Sequence, residues 1–366
     1  MIEPSDPFVP LGAETAGSAM ADSAAALAGA IPVLPGLAAP PKRRMLRWLA
    51  RLGLFACLAI LLYIALRKAP LNEIRAALLS LRPWQMALLL AVDALIYALV
   101  TARWWLVVRA EHPRIRYLPM IAVRLSVFGV SYFTVGPQVG GEPLQVLYLQ
   151  RRYGISYTRA SASVLMDKLF ELLGNFVLLS FGLVAIFQSG LLNGASTGSR
   201  LALSVLALLI TWPLVHIVLL YRRVYPVSTA IRLLGPQFGH RKGPRFVRAC
   251  ERLAGQFCQR HPRAMLSGLV VSLLSAAATV AEYALITSFL HLGLPFWKLV
   301  TAWTTGWLSF LVPLPGGLGA LEASQVSVLG LFGVSAAVAV SVALVMRGRD
   351  LLIGGLGLLL AGGAAR

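Results

Sequence analysis

Charge is what this sequence has least of. Only 13% of its 366 residues are Asp, Glu, Lys or Arg, while 58% are hydrophobic; soluble domains carry about 25% charged residues. That deficit excludes an ordinary soluble domain and points to an integral membrane protein, in keeping with a mean hydropathy of +0.76. Acids are scarcer than bases, and 14 Asp and Glu against 33 Lys and Arg leave a net charge of +19. In a membrane chain such an excess belongs to cytoplasmic loops, and no basic soluble domain is present to carry nucleic-acid binding. The chain has 3 cysteines and 5 histidines. Cys57, Cys250 and Cys258 form no disulfide framework or metal-ligand spacing, and the histidines form no cluster with acids. No nucleotide-binding loop occurs.

What is present is hydrophobic sequence of two kinds. Uninterrupted apolar segments cover about 46–66, 84–108, 160–187, 201–221, 264–290 and 334–365, each long enough to span a bilayer. Two further intervals, 118–149 and 297–333, are equally apolar but broken. The second holds Pro313-Leu314-Pro315-Gly316-Gly317-Leu318-Gly319-Ala320-Leu321-Glu322, and the first holds Gly136-Pro137-Gln138-Val139-Gly140-Gly141-Glu142. Proline removes a backbone donor and glycine weakens a helix, so the backbone bends there. Broken backbone persists in hydrocarbon only where protein or a wet cavity covers it. Paired Gly/Pro interruptions in two halves of a chain point to a transporter's binding site.

Residues 1–41, rich in Ala, Pro, Gly and Ser, read as a disordered cytoplasmic tail. Lys42, Arg43, Arg44, Arg47 and Arg51 precede the first apolar run as in a retained signal-anchor. If each broken interval is a re-entrant hairpin, 22 of the 33 basic residues lie on the tail's side and six opposite, with Arg103, Arg124, Lys168, Arg347 and Arg349 inside the membrane. A single crossing by 118–149 would move the most basic loop to the other side. Charge therefore selects the hairpins and places both termini in the cytoplasm.

The expected fold is an all-α polytopic membrane protein with six spanning helices and two re-entrant hairpins. Residues 42–365 form the membrane domain, with halves at 42–187 and 201–365 joined through a basic amphipathic loop at 222–263. Each half crosses an odd number of times, so a duplicated pair is inverted. Gly154-Ile155-Ser156 matches Gly333-Val334-Ser335 at an offset of 179, which also puts Lys168 on Arg347 and Glu171 on Asp350. In the loop, Phe246, Val247, Cys250, Leu253, Ala254 and Phe257 share one helical face, and Arg245, Arg248, Glu251 and Arg252 lie elsewhere on the wheel. This is the pattern of an interfacial helix drawn to anionic lipid heads, or of a solvated connector.

Ionisable groups within membrane segments cost about 2.5–3.5 kcal/mol each on insertion scales and mark function by default. Here they are Asp93, Arg103, Arg124, Glu142, Asp167, Lys168, Glu171, Glu282, Glu322, Arg347, Arg349 and Asp350. The candidate binding set is Glu142 and Glu322, the turn glycines Gly140, Gly141, Gly316 and Gly317, and Arg124, Lys168, Glu171, Arg347 and Asp350. Each glutamate either faces a polar cavity beside free amides or caps its hairpin's second helix. Lys168/Glu171 and Arg347/Asp350 are structural ion pairs or a lane for a charged head group. Arg124 contacts phosphate or snorkels to the interface. Asp93 and Glu282 have no matched partner. Trp84, Trp104, Trp105, Trp297, Trp303 and Trp307 fit interface belts, and His216 and His291 read as helix-end residues.

Gly140-Gly141-Glu142-Pro143, Tyr153-Gly154-Ile155-Ser156 and Val164-Leu165-Met166-Asp167-Lys168 resemble the transmembrane region of lysylphosphatidylglycerol synthases. Pro313 to Gly319 with Glu322 resembles that family's second signature, and the similarity covers about 45–365. The resemblance implies a flippase-like region in a bacterial inner membrane, moving lipids such as aminoacylated phosphatidylglycerol between leaflets. The synthases add a soluble aminoacyl-transfer domain, which is expected to be absent here, so no enzymatic activity and no cofactor are expected. Stand-alone members include proteins of hopanoid or cardiolipin metabolism. Pro143-Leu144-Gln145 departs from the family, which often has an arginine soon after the first glutamate. The expected partners are membrane lipids and lipid-biosynthetic enzymes, not nucleic acid. The expected function is lipid transport; a lipid-modifying enzyme and a non-transporting accessory protein are the alternatives.

Overall fold

The computed structural model describes residues 81–133, 140–188, 211–233, 242–310 and 319–364, together with 79, 204, 312 and 317. The expected tail, the segment at 46–66, the start of 201–221 and the turns at 134–139 and 313–316 lie outside the described residues.

Among the described residues there are eleven helices and no strands. The first four are α1 (Pro83–Glu111), α2 (Leu118–Phe133), α3 (Glu142–Tyr153) and α4 (Tyr157–Gln188). Three follow in the connecting region: α5 (Thr211–Tyr221), α6 (Pro226–Leu233) and α7 (Lys242–Arg260). The last four are α8 (Pro262–Phe289), α9 (Phe296–Ser309), α10 (Ala320–Leu331) and α11 (Ala336–Ala364).

Local chemistry sets the ends of these helices. Pro83, Pro226 and Pro262 open theirs, where the missing N–H costs no helical bond. Gly154 and Gly333 close α3 and α10 in left-handed conformation, at φ 66° and 85°. Just beyond them, Ile155 N donates to Leu149 O at 3.4 Å and Val334 N to Leu329 O at 3.0 Å. The matched triplets of the sequence therefore end matching helices.

Helices α1 to α4 run 29, 16, 12 and 32 residues, and α8 to α11 run 28, 14, 12 and 29. The two sets also pack alike. α2 lies against α11 and α4 against α9; α3 rests on α4 and α10 on α11; α1 and α8 pack against each other. The broken intervals are thus helix pairs, and at 1.5 Å per residue their arms are about 18–24 Å long, short of a ~30 Å hydrocarbon core. Glycine lets the long contacts close. A Cβ on Gly357 of α11 would lie 2.0 Å from Leu125 O of α2, and one on Gly182 of α4 would lie 2.1 Å from Thr304 Oγ1 of α9.

The exterior is apolar. Leu88, Leu90 and Leu95 on α1, Leu266 and Leu274 on α8, and Leu352 and Leu359 on α11 are exposed, as lipid-facing residues are. α1 and α8 are long and apolar enough to cross a membrane. α4 and α11 are as long but carry Asp167, Lys168 and Glu171, and Arg347, Arg349 and Asp350, within their length.

The amphipathic loop helix is present as α7, and the C-terminal part of its apolar face packs on protein. Ala254, Phe257 and Cys258 pack with Met166, Leu169 and Phe170 of α4 and with Ile217 and Leu220 of α5. Phe246, at the start of that face, stays exposed, as do Arg245, Arg248 and Arg252. Burial also pushes the thiols of Cys250 and Cys258 up to about 11. Glu251, expected on the polar side, is buried. It accepts 2.9 Å bonds from Val227 N and Ser228 N and so caps α6. His216 is no helix-end residue; it lies buried within α5, its Nε2 3.8 Å from Glu251. His291 does follow the end of α8, at φ 60°. Trp84 and Trp297 are exposed near helix starts as belts require, whereas Trp104 is fully buried.

Candidate functional site

Five helices converge on a buried charge network. Arg103 of α1 donates from Nε to Asp167 Oδ1 at 2.7 Å, and from Nη2 to Glu171 Oε2 at 2.9 Å. Arg124 of α2 binds the same two carboxylates of α4, at 2.9 Å to Asp167 Oδ2 and 3.1 Å to Glu171 Oε2. Lys168 of α4 bridges Glu171, at 3.2 Å, to Glu142 at the start of α3, at 3.0 Å. Ser272 of α8 accepts a 3.4 Å bond from Arg103 and donates to Phe170 O. Arg124 therefore does not snorkel; its guanidinium is held inward by two carboxylates. In low dielectric, forked pairs of this kind relieve the cost of burying each charge.

The network borders a cavity of about 290 Å³, near the lower limit of small-molecule pockets. Arg103, Arg124, Glu142, Lys168 and Glu171 line one part of it. Asp93 of α1, Glu282 of α8, and Arg349 and Asp350 of α11 line another. Arg349 lies between the acids, 3.6 Å from Asp93, 2.8 Å from Asp350 and paired with Glu282. Aromatic rings from several helices complete the wall, among them Tyr97, Phe128, Tyr283, Trp303 and Trp307. Trp303 and Trp307 are thus cavity residues, not belt residues.

Five expected site residues, Arg124, Glu142, Lys168, Glu171 and Asp350, line this cavity; Glu322 and Arg347 do not. Arg347 donates to both oxygens of Glu322, at 2.7 and 2.9 Å, and Glu322 Oε2 also accepts from Gly319 N at 2.9 Å. Glu322 is the cap of α10, sealed by a guanidinium. The expected Arg347/Asp350 pair is not formed. A carboxylate on α10 offers Arg347 two-point contact, and Asp350 pairs with its neighbour Arg349.

The turn glycines serve packing. Gly141 N donates to Ser131 Oγ at 2.8 Å, and a Cβ there would lie 2.2 Å from Val127 O. Gly317 adopts φ 61°, beside Phe310, and its carbonyl accepts from Arg347 at 3.4 Å. Gly140 is half-buried at the turn before α3, and Gly316 lies outside the described residues. Of the two readings, free amides or a helix cap, the amides favour the cap: Gly141 N donates to Ser131 and Gly319 N to Glu322.

Arg103, Asp93, Glu282 and Arg349 were named as intramembrane charges but left out of the expected binding set. One signal could have found two of them. At the offset of 179, Arg103 falls on Glu282, so equivalent positions of α1 and α8 carry opposite charges, which a search for matched residues scores as a mismatch.

Most of the chain matches a family of known sequences: the model of the lysylphosphatidylglycerol synthase TM region covers residues 48–357. The chain belongs to that family. It is therefore an all-α polytopic membrane protein with a lipid-related function. The match spans α1 to α10 and most of α11, so every charged residue of the cavity lies within it. No curated protein and no solved structure matches the chain.

Proposed function

We propose that this protein is a transporter that moves a polar lipid, a phospholipid or glycolipid, across the membrane. The head group passes through the charged cavity while the acyl chains remain in lipid. The observation that carries this reading is a polar cavity built where two equal sets of four helices meet, flanked by two equivalently placed glutamate–cation pairs. Glu142–Lys168 faces the cavity and Glu322–Arg347 is sealed beside it, as expected if access alternates between two halves.

The similar helix lengths and matching contacts support an inverted repeat of three crossings per half. The short arms of α2/α3 and α9/α10 support re-entrant hairpins, since broken backbone survives there only when covered by protein. The loop charges support an orientation with both termini in the cytoplasm, and the family match supports a bacterial inner-membrane location. We read the protein as a carrier and not an enzyme, with membrane lipids as its partners.

The test is reconstitution. Purified protein in vesicles containing fluorescent phosphatidylglycerol is expected to expose inner-leaflet label to an external quencher. Glu142→Gln is expected to slow this roughly 10–100-fold, the equivalent of one charge-assisted bond. Unchanged movement in a Glu142→Gln/Glu322→Gln double variant would sink the site.

A further inference from the structure

Around the cavity the charges are not evenly matched. On the α2–α3 side, Arg103, Arg124 and Lys168 face Asp167, Glu171 and Glu142, three against three. Where α11 meets α1 and α8, Arg349 alone faces Asp93, Glu282 and Asp350. The imbalance traces to the position where α1 has Arg103 and the matching site of α8 has Glu282. A second feature points the same way. Asp93 is only 4% exposed and lines the cavity, and its Oδ2 has no hydrogen-bond partner among the described residues.

Fully ionised, this cluster would hold two uncompensated negative charges in a buried site, which low dielectric makes costly. Like carboxylates crowded into one site avoid that by sharing a proton. A metal cation fits poorly, because the guanidinium already occupies the centre and no group of three metal ligands converges among the described residues. The groups facing Asp93 are Glu282 from α8 and Arg349 and Asp350 from α11. Tyr97, on the same helix as Asp93, lies among Asp350, Arg349 and Arg124.

We propose that the Asp93, Glu282 and Asp350 carboxylates around Arg349 form an exchangeable proton site that couples the cavity to a proton gradient. A hydronium ion in the cavity gives up a proton, its O–H bond breaking to leave water as an O–H bond forms at Asp93 Oδ2, and the reverse exchange returns the proton to water when the site is exposed on the other side. No other bond changes. The proton site stands on the charge count and geometry alone, whereas its coupling rests on the transport reading.

Infrared difference spectroscopy on the protein in nanodiscs of phosphatidylcholine and phosphatidylglycerol tests the site directly. A carboxylic-acid C=O band is expected, one that vanishes in Asp93→Asn and shifts in Glu282→Gln; the second variant decides if the first does not assemble. No such band, or one unchanged in both variants, overturns the site. In vesicles with fluorescent phosphatidylglycerol, one pH unit across the membrane is worth about tenfold in leaflet distribution per proton moved. Wild type is expected to show that bias and Asp93→Asn to lose it. Bias driven by a sodium gradient, or movement indifferent to pH, overturns the coupling. Absence of any movement overturns the transport reading and the coupling with it, while the infrared band still decides the site.

Discussion

Glu142–Lys168 and Glu322–Arg347 occupy equivalent places in the two helix sets, yet their surroundings differ. Glu142 has one cation at 3.0 Å, one oxygen without a hydrogen-bond partner among the described residues, and a side chain 14% exposed. Glu322 has a two-point guanidinium, a capped amide and a side chain 2% exposed. The nearby glutamines repeat the contrast. Gln325 accepts from Tyr283 at 2.6 Å and donates to Ala302 O at 3.2 Å, whereas Gln145 is equally buried with neither polar atom partnered among the described residues. The difference teaches that one element can be a lock in one half and a working surface in the other. Satisfied polar groups rigidify their surroundings; unsatisfied ones keep a cost that a ligand or a rearrangement can relieve.

The strongest way to break the comparison is to remove each cation. Arg347→Leu leaves the Glu322 carboxylate buried without its guanidinium and is expected to cost about 3–5 kcal/mol. Lys168→Leu is expected to cost only about 1–2 kcal/mol, because Glu142 borders the cavity and can be hydrated. Reversible unfolding in mixed micelles measures both, and equal losses would end the distinction between lock and working surface.

A smaller contrast lies in the helix contacts. Gly357→Ala drives a methyl group into the Leu125 carbonyl of α2, which cannot turn aside, at an expected cost of up to about 3 kcal/mol. Gly182→Ala meets Thr304 of α9, whose Oγ1 can turn aside but whose Cβ, 3.0 Å away, cannot, and is expected to cost about 1–2 kcal/mol. Melting temperatures of the two variants would sharpen the comparison, and a reversed order would contradict the packing described.

The smallest expected effect is at the glutamines. Gln325→Leu orphans the buried Tyr283 hydroxyl and is expected to cost about 1–2 kcal/mol, while Gln145→Leu removes two unpaired atoms and should be neutral or stabilising. If Gln145→Leu proves the more damaging, that side chain has a partner in a conformation other than this one.

Much of the helix layout was legible because its signals are local. The apolar runs at 84–108, 160–187, 264–290 and 334–365 mark α1, α4, α8 and α11 within a few residues, since length and hydropathy suffice. Gly154-Ile155-Ser156 and Gly333-Val334-Ser335 exposed the correspondence because a left-handed helix end demands glycine. The partners of each charge were not legible. Three-residue spacing found Lys168–Glu171 but wrongly joined Arg347 to Asp350, because it compares neighbours on one helix and is blind to a carboxylate reaching across from another. Trp303 and Trp307 failed as belt residues for a similar reason: position along a helix does not say which side faces lipid.

The sequence by itself determined that this chain is a helical membrane protein with two broken intervals, each holding a glutamate after its glycine turn, and a dozen charges held inside. Composition and period are enough for that, since hydrocarbon tolerates only helices with their backbone bonds satisfied. Only the tertiary structure decided which charges meet. It made Glu322 a cap under Arg347, left Glu142 at the edge of a cavity, and placed Asp93, Glu282 and Asp350 around Arg349. Ion pairing acts over a few ångströms between helices far apart in the chain, and it is packing that brings them there.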